Sequence, residues 1–223
     1  MARLSEDVLA VGFDLDGTLV DTVPDLETAA NALLGVLGAP PLGPGRVREL
    51  VGDGIGALVG RVLRAGLDQR TITPSLEARA LERFRSLYRQ HLFERSRVYP
   101  HVQRVLESVA QSGRALACIT NKEGALARPL LEAAGLSRWL TLCVTPEAPA
   151  QRKPDPYLLA AAAARLQLSP TQLLYVGDMR ADIEAARAAG CPVIAVSYGY
   201  HRGVPLQEAG PDAVIDSLDQ LLA

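Results

Sequence analysis

Two carboxylates, Asp14 and Asp16, stand just beyond a short apolar run, residues 8–13, and are followed by Gly17 and Thr18. If the extended backbone continues, residues two apart point the same way, so the pair presents both carboxylates together and Gly17 permits a sharp exit. Carboxylate oxygens suit a hard cation such as Mg²⁺, and a carboxylate can also attack phosphorus to form an aspartyl phosphate. An acidic turn after a strand would look the same. A calcium loop of the EF-hand kind does not fit, because its glycine belongs at the sixth loop position between helices, whereas Gly17 is fourth after a strand.

Similar polar groups recur after other apolar runs. Thr120-Asn121-Lys122 follows residues 115–119. A hydroxyl and backbone amides there suit a phosphoryl oxygen, and they suit equally well the capping of a following helix. Lys153 stands in a proline-fixed approach to a helix, where an exposed lysine is ordinary. Of 23 basic residues, however, only Lys122 and Lys153 are lysines, which makes two sites for a compact ammonium worth following. Asp178 and Asp182 come after a third strand pattern and share one face of a helix's first turn, where acidic residues are also favourable for structural reasons alone. Independent caps do not account for three carboxylates, a threonine and a lysine gathering at one edge of one sheet. Lysine and a divalent cation beside a carboxylate nucleophile would offset the charge of a transferring phosphoryl group.

The elements that must position these groups alternate along the chain. After the first strand come helices near residues 24–37, 55–65 and 75–94, with no convincing strand before residue 97. Strands near 115–119, 140–144, 173–176 and 193–196 then alternate with helices near 102–112, 125–134, 156–166 and 183–189. This order predicts an α/β fold with a parallel sheet and right-handed crossovers. The expected organisation is a discontinuous Rossmann-like core, residues 1–20 plus 97–223, with an inserted all-helical cap, residues 21–96. Carboxylates at the C-terminal ends of parallel strands stand where such sheets bind ligands.

Composition bounds the rest. A length of 223 residues suits one large domain or two modest ones, and 48% hydrophobic with 22% charged residues describes an ordinary soluble chain. A formal net charge of -2 argues against a broad nucleic-acid surface. No apolar run approaches the ~18 residues of a membrane span, and Glu6 and Asp7 interrupt any leader-like start. Three cysteines without Cys-x-x-Cys spacing read as reduced core thiols, which suggests a cytoplasmic protein. His91, His101 and His201 have no metal-ligand spacing.

The set Asp14-Leu15-Asp16-Gly17-Thr18, Thr120-Asn121, Lys153-Pro154 and Gly177-Asp178-Met179-Arg180-Ala181-Asp182 resembles the haloacid dehalogenase superfamily in its phosphatase branch, over nearly the whole chain. The resemblance implies that Asp14 attacks phosphorus and that Asp16 protonates the leaving alkoxide and then activates water. It implies that Thr120, Asn121 and Lys153 hold phosphoryl oxygens. Mg²⁺ would be bound by Asp14, the backbone carbonyl of Asp16, and Asp178, with Asp182 in support and Thr18 fixing the Asp16 loop. An aspartate at position 16 favours phosphate esters over the superfamily's other chemistries.

Within that branch the chain is most similar to phosphoglycolate phosphatases, through Val51-Gly52-Asp53-Gly54, Thr120-Asn121-Lys122, Tyr198-Gly199-Tyr200 and residues 211–216. Ala181, where many relatives carry asparagine, and the plain segment 145–152 depart from the pattern. Gly52, Asp53 and Gly54 lack the preceding strand of a dinucleotide loop. They read either as a turn or as a cap loop that closes over substrate. Arg48 and Arg61 are candidates for a substrate carboxylate. The expected partner is a small phosphorylated metabolite, with neither nucleic acid nor membrane, and the protein is expected to be a monomer or homodimer. A β-phosphoglucomutase-like mutase, a pyrophosphatase, a broad sugar phosphate or nucleotide phosphatase, and an inactive phosphate-binding regulatory module are the alternatives.

Overall fold

A computed structural model describes residues 4–222. These fall into two compact units, one running to Asp21 and resuming at Val98, the other Thr22–Arg97.

In chain order the strands are β1 (Ala10–Phe13), β2 (Val20–Asp21), β3 (Arg97–Val98), β4 (Ala115–Ile119), β5 (Leu142–Val144), β6 (Leu173–Gly177), β7 (Val193–Val196) and β8 (Ala213–Ile215). The helices are α1 (Val23–Val36), α2 (Arg46–Leu50), α3 (Ile55–Gly66), α4 (Pro74–Gln90), α5 (Val102–Gln111), α6 (Gly124–Ala133), α7 (Tyr157–Leu166) and α8 (Arg180–Ala189). Among the described residues the principal sheet has six strands in the order β5-β4-β1-β6-β7-β8, while β2 and β3 pair separately. Every pairing in the principal sheet is parallel. The expected α/β class with a parallel sheet is therefore the observed one.

All four residues of β1 are buried, as a central strand covered on both faces requires. Alternate side chains divide the core. Ala10, Ala117, Ile119, Leu173, Tyr175, Val193 and Ala195 face one apolar cluster with Leu158, Leu159 and Ala162 of α7 and Ile183, Ala185 and Ala186 of α8. Strand β1 is also the switch point, because the chain builds outward from it to β4 and β5 on one side and to β6, β7 and β8 on the other. The crevice at such a point, beyond the strands' carboxyl ends, is where open α/β sheets take ligands. Register puts Phe13 opposite Cys118 and Val176, so the next residues out are Asp14, Ile119 and Gly177.

The unit Thr22–Arg97 is helical. Proline occupies the first turn of both α1 and α4, where its missing N–H forfeits no helical bond. Thr73 caps α4 by accepting from the Leu76 N–H at 3.2 Å. Asp25, fully buried near the start of α1, accepts from the N–H groups of Arg95 (2.8 Å) and Ser96 (2.9 Å) and from the Ser96 hydroxyl, tying together the two ends of the unit.

Differences from the sequence expectation are confined to short pieces. Strand β8 and helix α2 had no periodicity long enough to register, at three and five residues. Strand β5 begins at Leu142 rather than at 140, and α4 ends at Gln90 rather than near 94.

Candidate active site

Asp14 is the first residue beyond β1, and its N–H donates to the Val176 carbonyl at 2.9 Å, so the sheet ladder fixes it from the neighbouring strand. It is 7% exposed, enough for one face to be reached. Lys153 Nζ donates to its Oδ1 at 2.8 Å. That ammonium is also 2.6 Å from Asp182 Oδ1, 2.7 Å from the Tyr175 hydroxyl and 3.2 Å from the Ile119 carbonyl. Such a cage fixes the position of the lysine head beside Asp14. Its backbone is held too: the Lys153 N–H donates to Asn121 Oδ1 at 2.8 Å, and Asn121 Nδ2 donates to the Lys153 carbonyl at 3.0 Å. The side chain of Asn121 is thus used to anchor Lys153.

Asp16, on the turn after β1, receives Lys122 Nζ at 2.8 Å on Oδ1 and 3.2 Å on Oδ2. Lys122 is delivered by the end of β4, where its N–H donates to Thr120 Oγ1 at 3.2 Å. The two scarce lysines therefore serve the two carboxylates of the first motif separately.

Asp178 is fully buried just beyond β6. Neutral donors orient it: the Thr18 hydroxyl at 2.9 Å on Oδ1 and the Tyr200 N–H at 2.6 Å on Oδ2. A Cβ at Gly17 would lie 2.3 Å from Asp178 Oδ2, at a φ of +95°, and one at Gly199 would lie 2.3 Å from Asp178 Cβ. Both glycines are needed for the carboxylate to occupy this position. Tyr198 donates to the Thr18 carbonyl at 2.9 Å, and Tyr200 donates through its hydroxyl to Asp21 at 2.7 Å, bracing the same turn. Asp182, in the first turn of α8, accepts on Oδ2 from the N–H groups of Asp178 (3.2 Å) and Met179 (2.9 Å), so both of its oxygens are engaged.

Four carboxylates, Asp14, Asp16, Asp178 and Asp182, thus meet two ammonium groups, Lys122 and Lys153. Two formal negative charges remain in a buried place. Burial, reinforced by Asp182 and Asp16 and opposed by Lys153, raises the Asp14 carboxyl to about 6. Burial, with Asp182 and Asp14 adding to it, pushes Asp178 well above the usual carboxylate range against the donors Tyr200 and Thr18. Burial alone would lower Lys153, but Asp14 and Asp182 outweigh it and hold the ammonium above its ordinary value. Oxygens of Asp14, Asp178 and Asp182 lie within 4.8 Å of one another. Oxygen donors, close spacing and a charge deficit of two fit a hard divalent cation such as Mg²⁺. Each Asp182 oxygen accepts from two donors, whereas each Asp178 oxygen accepts from one, so Asp14 and Asp178 are the carboxylates with lone pairs left to hold it.

The haloacid dehalogenase-like hydrolase family model matches residues 11–196. The chain belongs to that family. It is 36% identical to a phosphoglycolate phosphatase of Vibrio parahaemolyticus over 218 residues, covering 97% of this chain and 96% of that one. A phosphoglycolate phosphatase of Thiobacillus denitrificans is 39% identical over 211 residues, covering 95% and 92%. Among solved structures, a predicted phosphoglycolate phosphatase from Haemophilus somnus 129pt superposes with a TM-score of 0.90 at 32% identity, covering 96% of this chain and 97% of that one.

In this haloacid dehalogenase-like core, Asp14, Asp16, Thr18, Thr120, Asn121, Lys153, Asp178 and Asp182 converge at the sheet's carboxyl edge. Thr18 holds Asp178 where it was expected to fix the Asp16 loop. Gly52, Asp53 and Gly54 lie in the helical unit and adopt φ values of 126°, 63° and 88° in succession. Arg61 donates to the carbonyls of Leu50 and Gly52, each at 3.0 Å, and to the Asp53 carboxylate. This arginine, considered for a substrate carboxylate, is committed to its own loop. Sequence reasoning left out Tyr175 and did not assign Lys122 to the site. The rarity of lysine was the signal for Lys122, and the buried hydroxyl of Tyr175 gave none.

Proposed function

We propose that this chain is a Mg²⁺-dependent phosphatase of small phosphomonoesters, with 2-phosphoglycolate as its substrate. The observation that carries the reading is Asp14, held by Lys153 at the switch point of a parallel sheet, beside a second carboxylate and two uncompensated negative charges. The names and near full-length coverage of the relatives support the choice of substrate.

Asp14 attacks phosphorus, the ester bond breaks, and Asp16 gives a proton to the departing alkoxide. Asp16 then takes a proton from water, which attacks the aspartyl phosphate and releases phosphate and free Asp14. Lys153, the Thr120 hydroxyl and the Asn121 backbone amide hold the phosphoryl oxygens as charge moves between them. Asp14, Asp178 and the Asp16 carbonyl would hold Mg²⁺, which supplies positive charge against the phosphoryl group. Asp182 and Thr18 act by orienting Lys153 and Asp178. Three free cysteines agree with a cytoplasmic setting.

Gly52, Asp53 and Gly54 are assigned to substrate recognition on their resemblance to the cap loop of phosphoglycolate phosphatases, and Arg61 fixes the loop's backbone. An Asp53→Ala variant with an unaltered KM for every ester would remove that assignment.

Phosphate release from a panel of monoesters, with Mg²⁺ and with chelator, tests the main reading. The expected result is Mg²⁺-dependent release that is fastest from 2-phosphoglycolate. Equal rates across the panel would refute the substrate, and no release from any ester with Mg²⁺ present would refute the activity.

A further inference from the structure

Lys122 and Lys153 are the two buried cations among the described residues, and they do different things. Lys153 sits in a cage of Asp14, Asp182, Tyr175 and the Ile119 carbonyl. Lys122, 6% exposed, reaches both oxygens of Asp16 at 2.8 and 3.2 Å. In the proposed reaction, on which this inference rests, Asp16 stands on the side of the leaving group and exchanges a proton with its oxygen. A group that holds Asp16 this tightly therefore lies beside the leaving group as well.

The distances define what else the ammonium can meet. An Asp16 oxygen hydrogen-bonded to the ester oxygen lies about 2.7 Å from it. The Lys122 ammonium is 2.8 Å from that carboxylate. A short substituent on the carbon next to the ester oxygen can therefore reach the Lys122 ammonium when it points toward it. In a phosphorylated 2-hydroxy acid that substituent is a carboxylate. Without a cation there, bringing a second anion beside Asp16 would add like-charge repulsion in a buried place.

We propose that Lys122 is a specificity-determining residue that binds the second anionic group of the substrate, the carboxylate of a small phosphorylated hydroxy acid, in exchange for part of its contact with Asp16. The ammonium's point charge suits this exchange, since it can turn between two carboxylates without the fixed fork of an arginine. An ester without a second anion leaves Lys122 on Asp16 and gains nothing from it.

The test compares 2-phosphoglycolate with ethyl phosphate, which has a methyl group where the acid has its carboxylate, using the full chain with Mg²⁺. In Lys122→Met the KM for 2-phosphoglycolate rises about 10- to 100-fold, as for loss of a charge-assisted hydrogen bond. The KM for ethyl phosphate changes by less than about threefold. Any fall in kcat from loosening Asp16 affects both esters alike, and Lys122→Arg restores part of the preference.

Ligand binding to the turnover-deficient Asp14→Asn protein, with and without Lys122→Met, provides a readout independent of rate. Selective weakening of 2-phosphoglycolate is expected. Equal weakening of both esters, or a wild-type chain with no preference for a second anion, overturns the proposal. If the wild type prefers another doubly anionic ester, the 2-phosphoglycolate reading falls. The same comparison with that ester and its neutral analogue then decides the role of Lys122.

Discussion

Asp14 and Asp178 are buried among negative charges, and their protonation is coupled to whatever cation the site holds. Asp14 rises from an ordinary 3.8 to about 6, chiefly through burial. In the metal-free protein the fold therefore binds a proton that the unfolded chain releases. That contribution to stability is complete below about pH 4 and is withdrawn as pH rises through about 6. In the proposed function, Mg²⁺ would take the proton's place above that range. The increase in Tm on adding Mg²⁺ should accordingly be larger at about pH 7.5 than at about pH 5, where protons compete for the same oxygens. Thermal unfolding at the two pH values, with and without Mg²⁺, checks this. An equal increase at both would mean that Asp14 does not hold the metal. The roles of single residues were the least legible part of the sequence. Thr18 and Asp178 are 160 positions apart, and Lys122 and Asp16 are 106 apart, so local pattern does not report which partner each side chain finds. Lys122 left a trace only through the scarcity of lysine, and Tyr175 left none because an aromatic residue in a strand already explains itself as core.

Secondary-structure elements were far more legible, because long apolar periodicity records burial directly. Strand β4 has the expected bounds, and β1 differs only in where its apolar run starts. Pieces of three to five residues, β8 and α2, escape that criterion. In the sequence, the tail that carries Tyr198, Gly199 and Tyr200 reads only as a family resemblance. Its physical task emerges only when β7 brings it beside β6, where Tyr200 caps Asp178 and Gly199 gives the carboxylate room. In the helical unit, Asp25 is the element-level tie. Asp25→Ala leaves the buried Ser96 N–H and hydroxyl and the part-buried Arg95 N–H without their acceptor, and should destabilise that unit by about 3 kcal/mol. Chemical denaturation of the variant measures the change, and a loss below about 0.5 kcal/mol would show that water replaces the carboxylate readily.

At the level of the molecule, the order of the sheet explains why residues from 14 to 182 share one site. Strand β1 lies between β4 and β6, so its carboxyl end receives Asp14 and Asp16 directly, Thr120 and Lys122 from one neighbour, and Asp178 from the other. Lys153, arriving on a loop before α7, closes the set through Asn121. The same convergence produces a surplus of carboxylates over ammonium groups, which suits a cation and, in the proposed function, lets that cation receive the phosphoryl group. The sequence already implied the parallel sheet and the polar strand ends. The charge balance became countable only when each lysine could be matched to its carboxylates.

The central step of the proposed reaction is the bond between Asp14 and phosphorus. Mass spectrometry of wild-type enzyme mixed with 2-phosphoglycolate and Mg²⁺, quenched in acid within the first turnover, tests it directly. A peptide carrying one phosphoryl group on Asp14, absent from the Asp14→Asn protein, is the predicted result. Phosphate release without any phosphorylated Asp14, together with turnover by Asp14→Asn near the wild-type rate, would contradict it.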